Sequence, residues 1–365
     1  MPISDTQRFS AETLRHFTYR VFTAMGCPPE DAQAATDVLL AADLRGVDSH
    51  GVARLIGYVR LWKAGRINPK PKVQLIHETP STATLDGDRG LGLVVAPKAM
   101  QIAMEKAEAV GSGWVSVRNS NHFGIAGYHA MLPLEKNMIG MALTNASPLV
   151  APTFARERML GTNPIAIGIP AGQEQPIVVD MATTTVANGK LEILNRKAQS
   201  APEGWVQDAT GSPSTDPSAL KSGGALLPLG SDRLHGSHKG YCMGAVVDIW
   251  SAVLSGAGYG PWAPPFVSFL PLPENPPGEG LGHFLGAMRV DGFRPLSEYQ
   301  QHIDNWIRRF RATEPAEGHE RVQIPGDPER ASEIARQKSG IPLLTPVVED
   351  LKEVGKTLGV TLEGE

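Results

Sequence analysis

Gly111-Ser112-Gly113-Trp114-Val115-Ser116-Val117 is the stretch that decides the fold class. A Rossmann fingerprint needs its glycines after a strand and at the start of a helix, so that a pyrophosphate meets the helix N-terminus. Here the order is reversed: Gly92–Val110 reads as a helix and Trp114–Val117 as a strand. That strand runs into Asn119-Ser120-Asn121-His122-Phe123-Gly124. The second glycine pair, Gly256-Ala257-Gly258, also follows a helical stretch. Walker A, HExxH and G-x-S-x-G patterns are absent. Any dinucleotide site on this chain is therefore of a non-Rossmann kind.

Towards the N-terminus the pattern is helical. Ser10 can cap a helix carrying Leu14, Phe17 and Val21, which Gly26-Cys27-Pro28-Pro29 stops. Pro29-Glu30-Asp31 opens a second, with Ala35, Val38, Leu39 and Ala42 on one face and Gly46 at its end. A third is expected to begin near Gly51, with Val52, Leu55, Ile56, Val59 and Trp62 as its apolar stripe and Gly65 as its stop. After Asn68-Pro69-Lys70-Pro71 the period changes, and Val73–His77 and Thr82–Asp86 read as a strand pair.

Towards the C-terminus, Ile139–Thr144, Ile165–Ile169 and Ile177–Asp180 read as short strands and Val186–Arg196 as a helix. A loop is expected from Gln199 to Ser237, then a helix over Lys239–Leu254. Thirteen of the 28 residues from Ser255 to Gly282 are Gly or Pro, so this stretch reads as an extended functional loop, a lid or an arm onto a neighbouring subunit. Phe284–Val290 reads as a strand, and Ser297–Phe310 and Pro328–Lys338 as helices. Strands joined by hairpins and occasional helices give an α+β fold with a mixed, largely antiparallel sheet. The two helical ends are expected to pack together. This divides the chain into a helical part (1–75), a mixed-sheet part (76–296) and a second helical part (297–365).

At 365 residues the chain can bury a large core. A formal charge of −4 without long runs of one sign argues against nucleic-acid binding. The N-terminal residues are too polar for a secretory signal. The apolar run Met243–Leu254 is broken by Asp248 and is too short to span a bilayer. Cys27 and Cys242 are the only cysteines, far apart and outside any CxxC, so neither a disulfide framework nor a Cys-based metal site is expected. These features point to a cytoplasmic protein.

Asp48-Ser49-His50-Gly51, with Arg54 four residues on, is the candidate reactive stretch. An imidazole can move a proton near neutral pH, and a guanidinium can hold a carboxylate through two parallel hydrogen bonds. Together they suit a small 2-hydroxy or 2-oxo acid. An Asp-Ser helix cap followed by a surface His and Arg is the plainer alternative.

Four further segments are unusually rich in Gly, His, Asn, Thr and Pro: Ser120–Gly127, Gly161-Thr162-Asn163-Pro164, Asp180–Lys190 and Gly236–Gly240. In this order, with Asp48–Arg54, they resemble the non-Rossmann malate/L-lactate dehydrogenase family. That family includes malate, sulfolactate and ureidoglycolate dehydrogenases, diketogulonate reductase and cyclic imino-acid reductases. The resemblance runs from Asp48 to Ile324-Pro325-Gly326-Asp327.

The resemblance implies an NAD- or NADP-dependent oxidoreductase that needs no metal and works as a homodimer away from membranes. It marks His50 as the proton carrier, Ser49 as its orienting partner, and Arg54 as the carboxylate clamp, with Thr162 and Asn163 near substrate. It marks His122, Phe123, Gly124, Ile125 and Ala126 as cofactor-binding, although His122 is the proton acceptor in the ureidoglycolate-type reading. Asp180, Met181 and Ala182, His238 and Lys239, and Pro325, Gly326 and Asp327 are the other cofactor-binding positions it implies. Lys190 stands where imino-acid reductases of the family carry an acid, so it points to a hydroxy acid, malate or lactate. Asn188 departs from the arginine usual two residues earlier.

Overall fold

The structure, a computed structural model, describes residues 6–363. Strand β1 (Thr6–Phe9) leads into helix α1 (Ala11–Ala24), where Ser10 Oγ accepts the Thr13 N–H at 3.0 Å and so caps the helix. Helices α2 (Pro29–Leu44) and α3 (Leu55–Lys63) follow. Between them Val52–Arg54 forms a single tight 3-10 turn, so the regular helix begins at Leu55 rather than near Gly51. The cause is a contact with the end of α2: the Val52 N–H donates to the Asp43 carboxyl at 2.8 Å, which holds the chain out of helical register until Leu55.

Strands β2 (Gln74–Glu78) and β3 (Thr82–Asp86) form a hairpin. Helix α4 (Gly92–Val110) ends where Gly111 takes a left-handed φ of +94°, a conformation that costs glycine little. That is the structural use of the Gly111 position: it turns the chain into strand β4 (Ser112–Ser120). Helix α5 (Ala126–Met131) and strands β5 (Met138–Thr144), β6 (Ile165–Ile169) and β7 (Ile177–Met181) come next.

Helix α6 (Asn188–Arg196) precedes three two-residue strands, β8 (Val206–Gln207), β9 (Pro213–Ser214) and β10 (Ala225–Leu226), inside the stretch expected to be loop. Their side chains Val206 and Leu226 pack with Leu149, Val186 and Leu191 in a small separate core. Helix α7 (Ser237–Asp248) continues into a wider π turn over Ile249–Val253. Strand β11 (Leu281–Arg289) and helices α8 (Leu296–Arg311) and α9 (Asp327–Ser339) precede strand β12 (Ile341–Leu344) and helix α10 (Thr345–Leu358).

The large sheet has the order β2-β3-β4-β11-β5-β6-β7. Only β3 and β4 run parallel; every other neighbouring pair is antiparallel. This is the expected mixed α+β sheet. Apolar residues of α4, such as Met100 and Ala103, cover one face of it together with Ala130 of α5. Val247 of α7 meets Leu143 and Phe284 in a further cluster.

The two chain ends meet, as expected. One apolar core gathers Phe17, Leu39 and Leu55 with Leu351 and Val354 of α10, and β1 pairs with β12. Helix α8 packs elsewhere, placing Ile303 and Ile307 against Ile169, Ile177 and Val179 of the sheet. Among the described residues no helix is long and apolar enough to cross a membrane.

Candidate active site

The reactive turn lies between α2 and α3. The His50 N–H donates to Val47 O at 2.9 Å, and Arg54 N–H to Gly51 O at 2.9 Å. His50 therefore sits in the turn before the helix rather than on its first turn. Ser49 Oγ lies 2.9 Å from His50 Nδ1, so the hydroxyl fixes the ring and leaves Nε2 for another partner. Arg54 Nε donates to the Ser49 carbonyl, and its Nη2 lies 3.9 Å from Glu192 of α6. Asn188 donates to the other oxygen of Glu192 at 2.8 Å, which is the use this chain makes of its asparagine. Gly189 lets α6 come this close, because a β-carbon there would stand 2.9 Å from Ser49 Cβ.

Four residues beyond Arg54, and hence on the same face of α3, is Tyr58. Its hydroxyl lies 2.7 Å from His122 Nδ1, and the Gly124 N–H also reaches that nitrogen at 3.3 Å. A backbone amide can only donate, so Nδ1 is an acceptor and the proton of a neutral His122 resides on Nε2. The rings of His50 and His122 stack at 5.6 Å. Phe266, from the Gly/Pro-rich stretch, covers both His122 (4.7 Å) and Tyr58 (5.2 Å). Each such ring pair contributes about 0.5–1.5 kcal/mol beyond burial. Within the chain itself, the long loop thus closes over this cluster, anchored by Arg60 on the Phe266 carbonyl.

Burial, and then the charge of Arg54, pushes His50 down to about 4. His122 falls well below its ordinary value, again through burial first and then through His50 and Arg54. Both rings are neutral at neutral pH.

His50 and Ser49 open onto a cavity of about 670 Å³, which Gly124–Gly127, Thr162, Asp180–Ala182, Lys190, Pro325 and Gly326 also line. The volume falls in the range that takes cofactor-sized ligands. Asp180 accepts the Gly127 N–H at 2.8 Å, and burial of its carboxyl raises it to about 6. Pro325 is tied to β7 by the Val178 N–H, which donates to its carbonyl at 3.0 Å.

Other marked residues stand one layer back. Arg54 reaches the cavity wall through Ser49 and Gly189, and His122 through the His50 ring. Phe123 is buried, stacked on His283 and beside His129. Asp327 accepts from the Ile324 N–H at 3.0 Å and pairs with Arg311 and Arg330, which holds the Pro325–Gly326 bend in place. The Asn163 amide donates to Gly244 O at 3.0 Å instead of into the cavity, leaving Thr162 and Pro164 as the lining residues of its turn.

His238 and Lys239, in the first turn of α7, do not line the cavity, and His238 lies 2.9 Å from Arg233. The preceding Leu229 does line it, because Gly240 admits the Leu229 backbone at a distance no β-carbon would allow. Tyr58, Phe266, Asp43 and Glu192 are the site residues that sequence reasoning passed over. Tyr58 had a usable signal, its helical spacing from Arg54. Phe266 had none, since it lies in a proline-rich stretch without periodicity.

Residues 9–352 match the family model described as malate/L-lactate dehydrogenase. The chain is 42% identical to a malate dehydrogenase of Pyrococcus abyssi, over 97% of this chain and 95% of that one. It is 38% identical to an L-sulfolactate dehydrogenase of Methanocaldococcus jannaschii, over 94% and 95%. The crystal structure of malate dehydrogenase from Entamoeba histolytica superposes with a TM-score of 0.90 at 37% identity, covering 99% of this chain and all of that one. The chain belongs to the malate/L-lactate dehydrogenase family and is an enzyme of the 2-hydroxy acid dehydrogenase class.

Proposed function

We propose that the enzyme interconverts a small 2-hydroxy acid, malate or lactate, and its 2-oxo acid, with NAD or NADP as redox partner. The observation that carries this reading is the convergence of Ser49, His50 and Lys190 with Gly124–Gly127, Asp180–Ala182 and Pro325–Gly326 on one cavity. That wall fits a dinucleotide. Gly124 and Gly326 hold φ of +79° and +97°, and a β-carbon on Gly127 would strike the Asp180 carboxylate, so backbone forms the surface there. Gly124, Ile125, Ala126, Asp180, Met181, Ala182, Pro325 and Gly326 would hold the cofactor, with His122, Phe123 and Asp327 supporting them. When bound, the nicotinamide supplies the hydride acceptor or donor.

The chain's own residues do the rest. Arg54, standing behind the Ser49–Gly189 wall with Nη groups that Ser49 does not take, would reach the substrate carboxylate past Ser49. His50, kept neutral by burial, takes the hydroxyl proton at Nε2 as the C2 hydrogen departs, while Ser49 steadies Nδ1. The His122 Nδ1 already has two donors and its proton is on Nε2, so His122 serves as a donor and His50 as the base. Lys190 on the wall suits an acid with a second anionic group better than a cyclic imino acid.

The exposed apolar face of α7 and its π turn, with Tyr241, Ile249, Trp250, Val253 and Leu254, supports a homodimer. Both cysteines are free and Cys242 is exposed, which suits the reducing cytoplasm.

The test is a panel of 2-oxo acids and a cyclic imine, each assayed with NADH and NADPH, followed by nicotinamide absorbance. Oxaloacetate or pyruvate turnover supports the reading. Turnover of the cyclic imine alone, or of nothing in the panel, overturns it.

A further inference from the structure

The loop that presents His50 is held from beneath by a carboxyl group that does not line the cavity. Asp43, near the end of α2, is fully buried. Its Oδ2 accepts the Val52 N–H at 2.8 Å, while its Oδ1 has no hydrogen-bond partner among the described residues. Gly51 lies directly on it: a β-carbon there would fall 1.9 Å from Oδ1 and 2.1 Å from Cγ. Gly51 has φ −87°, outside the left-handed region, and the contact by itself leaves no room for a β-carbon.

The other end of the turn is fastened from a different part of the chain. Arg336 of α9 donates to the Asp43 carbonyl at 2.6 Å and pairs with Asp48, the residue before Ser49.

We propose that Asp43 is a positioning residue for the reaction, setting the Ser49–His50 turn by gripping the Gly51–Val52 peptide. The inference rests on the assignment of proton transfer to His50. A carboxyl serves here because it is flat, accepts the Val52 N–H on one oxygen and fills the space against Gly51 with the other. Releasing it frees the Gly51–Val52 peptide, and with it the direction in which His50 Nε2 points. Burial pushes the Asp43 carboxyl up to about 8, with Asp48 adding to the rise and Val52 and Arg336 opposing it, so near neutral pH the grip is that of a neutral acid. Asparagine, flat and uncharged, is thus its closest replacement.

The experiment measures kcat, KM for the 2-oxo acid and cofactor Kd for Asp43→Asn, Asp43→Ala, Gly51→Ala and the Asp43→Ala/Gly51→Ala double variant. Rates are normalised to the fraction of enzyme that binds cofactor. Displacing a reacting group by about 1 Å costs up to a hundredfold. Asp43→Ala and Gly51→Ala are therefore each expected to lose tenfold or more in kcat with cofactor Kd within about twofold. Asp43→Asn should keep kcat within about threefold.

The double variant should be no slower than Asp43→Ala alone, because the atoms that a Gly51 methyl would strike are then gone. Strictly additive losses, unchanged kcat in Asp43→Ala, or no rescue by asparagine overturns the proposal. If Asp43→Ala does not fold, Asp43→Ser, which clears the same space, takes its place in the cycle. His50→Ala is run alongside. Full activity in that variant removes the reading of His50 itself, whereas a dead His50→Ala with an indifferent Asp43 series removes only the role of Asp43.

Discussion

Tyr58 and His122 are joined by a 2.7 Å hydrogen bond from hydroxyl to Nδ1, and the Gly124 amide closes on the same nitrogen. This pairing sets the tautomer of a ring that stacks on His50. Tyr58→Phe keeps the packing against Phe266 and Phe22 and removes only the donor. Stability should fall by about 1 kcal/mol, the ordinary value of one buried hydrogen bond. Turnover should fall roughly tenfold as the His122 ring, its tautomer still set by the Gly124 amide, loses the shorter of the two bonds that hold its orientation, equivalent to about 1.4 kcal/mol of barrier. Thermal melts and steady-state assays on the same preparation check both numbers. Wild-type turnover with a lowered melting temperature would assign the bond to folding alone.

The sequence carried much of this site and missed its supports for identifiable reasons. The α4–β4 order and the helical character of both chain ends come from local patterns that survive folding, whereas the grouping of the Gly-, His- and Thr-rich segments was implied by their resemblance to a family. Strands β1 and β12 are four residues each and pair across the whole chain, which no local periodicity reveals. The start of α3 was misplaced because the Asp43 carboxyl captures the Val52 amide, a tertiary contact that overrides helical spacing. Asn163 looked like a ligand-facing amide, but its donor is spent on Gly244 of α7.

His50 carries the clearest pH signature. Its protonation is pushed down to about 4, so in the free enzyme the base form persists well below the usual histidine value of about 6.5. Hydroxy-acid oxidation should hold its kcat/KM as pH falls from 8 to 5. Reduction needs the protonated ring, and its kcat/KM should climb roughly tenfold per pH unit over the same range. His50→Ala should flatten the reduction profile and lower turnover in both directions on the order of a hundredfold or more, with cofactor affinity intact. A midpoint near 6.5 in either direction would contradict the role of burial.

Gly189 brings α6 against the reactive turn, and a methyl there meets Ser49 Cβ at 2.9 Å and Arg54 Nη2 at 3.2 Å. Overpacking of this kind costs about 1–3 kcal/mol. Gly189→Ala should raise KM for the acid about tenfold, through displacement of Arg54, more than it alters cofactor Kd. Equal losses in both would place the strain in the cofactor wall instead.

Lys190 lines the cavity with its side chain largely exposed, so it can meet a second charged group without a large desolvation cost. A hydrogen bond to a charged group contributes about 1.5–3 kcal/mol. Lys190→Gln should therefore lower kcat/KM for oxaloacetate at least tenfold more than for pyruvate. A uniform loss across both acids would mean that the lysine does not read the substrate's far end.

The last prediction concerns stability. The Asp43 carboxyl is raised to about 8 in the folded chain, against an unfolded value of about 3.9. Between these values the native state holds a proton that the unfolded state has released, so this group makes the fold less stable as pH rises from 4 towards 8. Above 8 both states are ionised and its contribution levels off. Asp43→Asn removes the titration while keeping the oxygen that accepts from Val52. The melting temperature of Asp43→Asn minus that of wild type should therefore grow with pH across this window and reach a plateau beyond it. His50 acts in the opposite sense, losing stability as pH falls below about 6.5, but it is common to both proteins and cancels in the difference. A flat difference across the window would mean that Asp43 is ionised in the folded enzyme, with Arg336 rather than a proton meeting its charge.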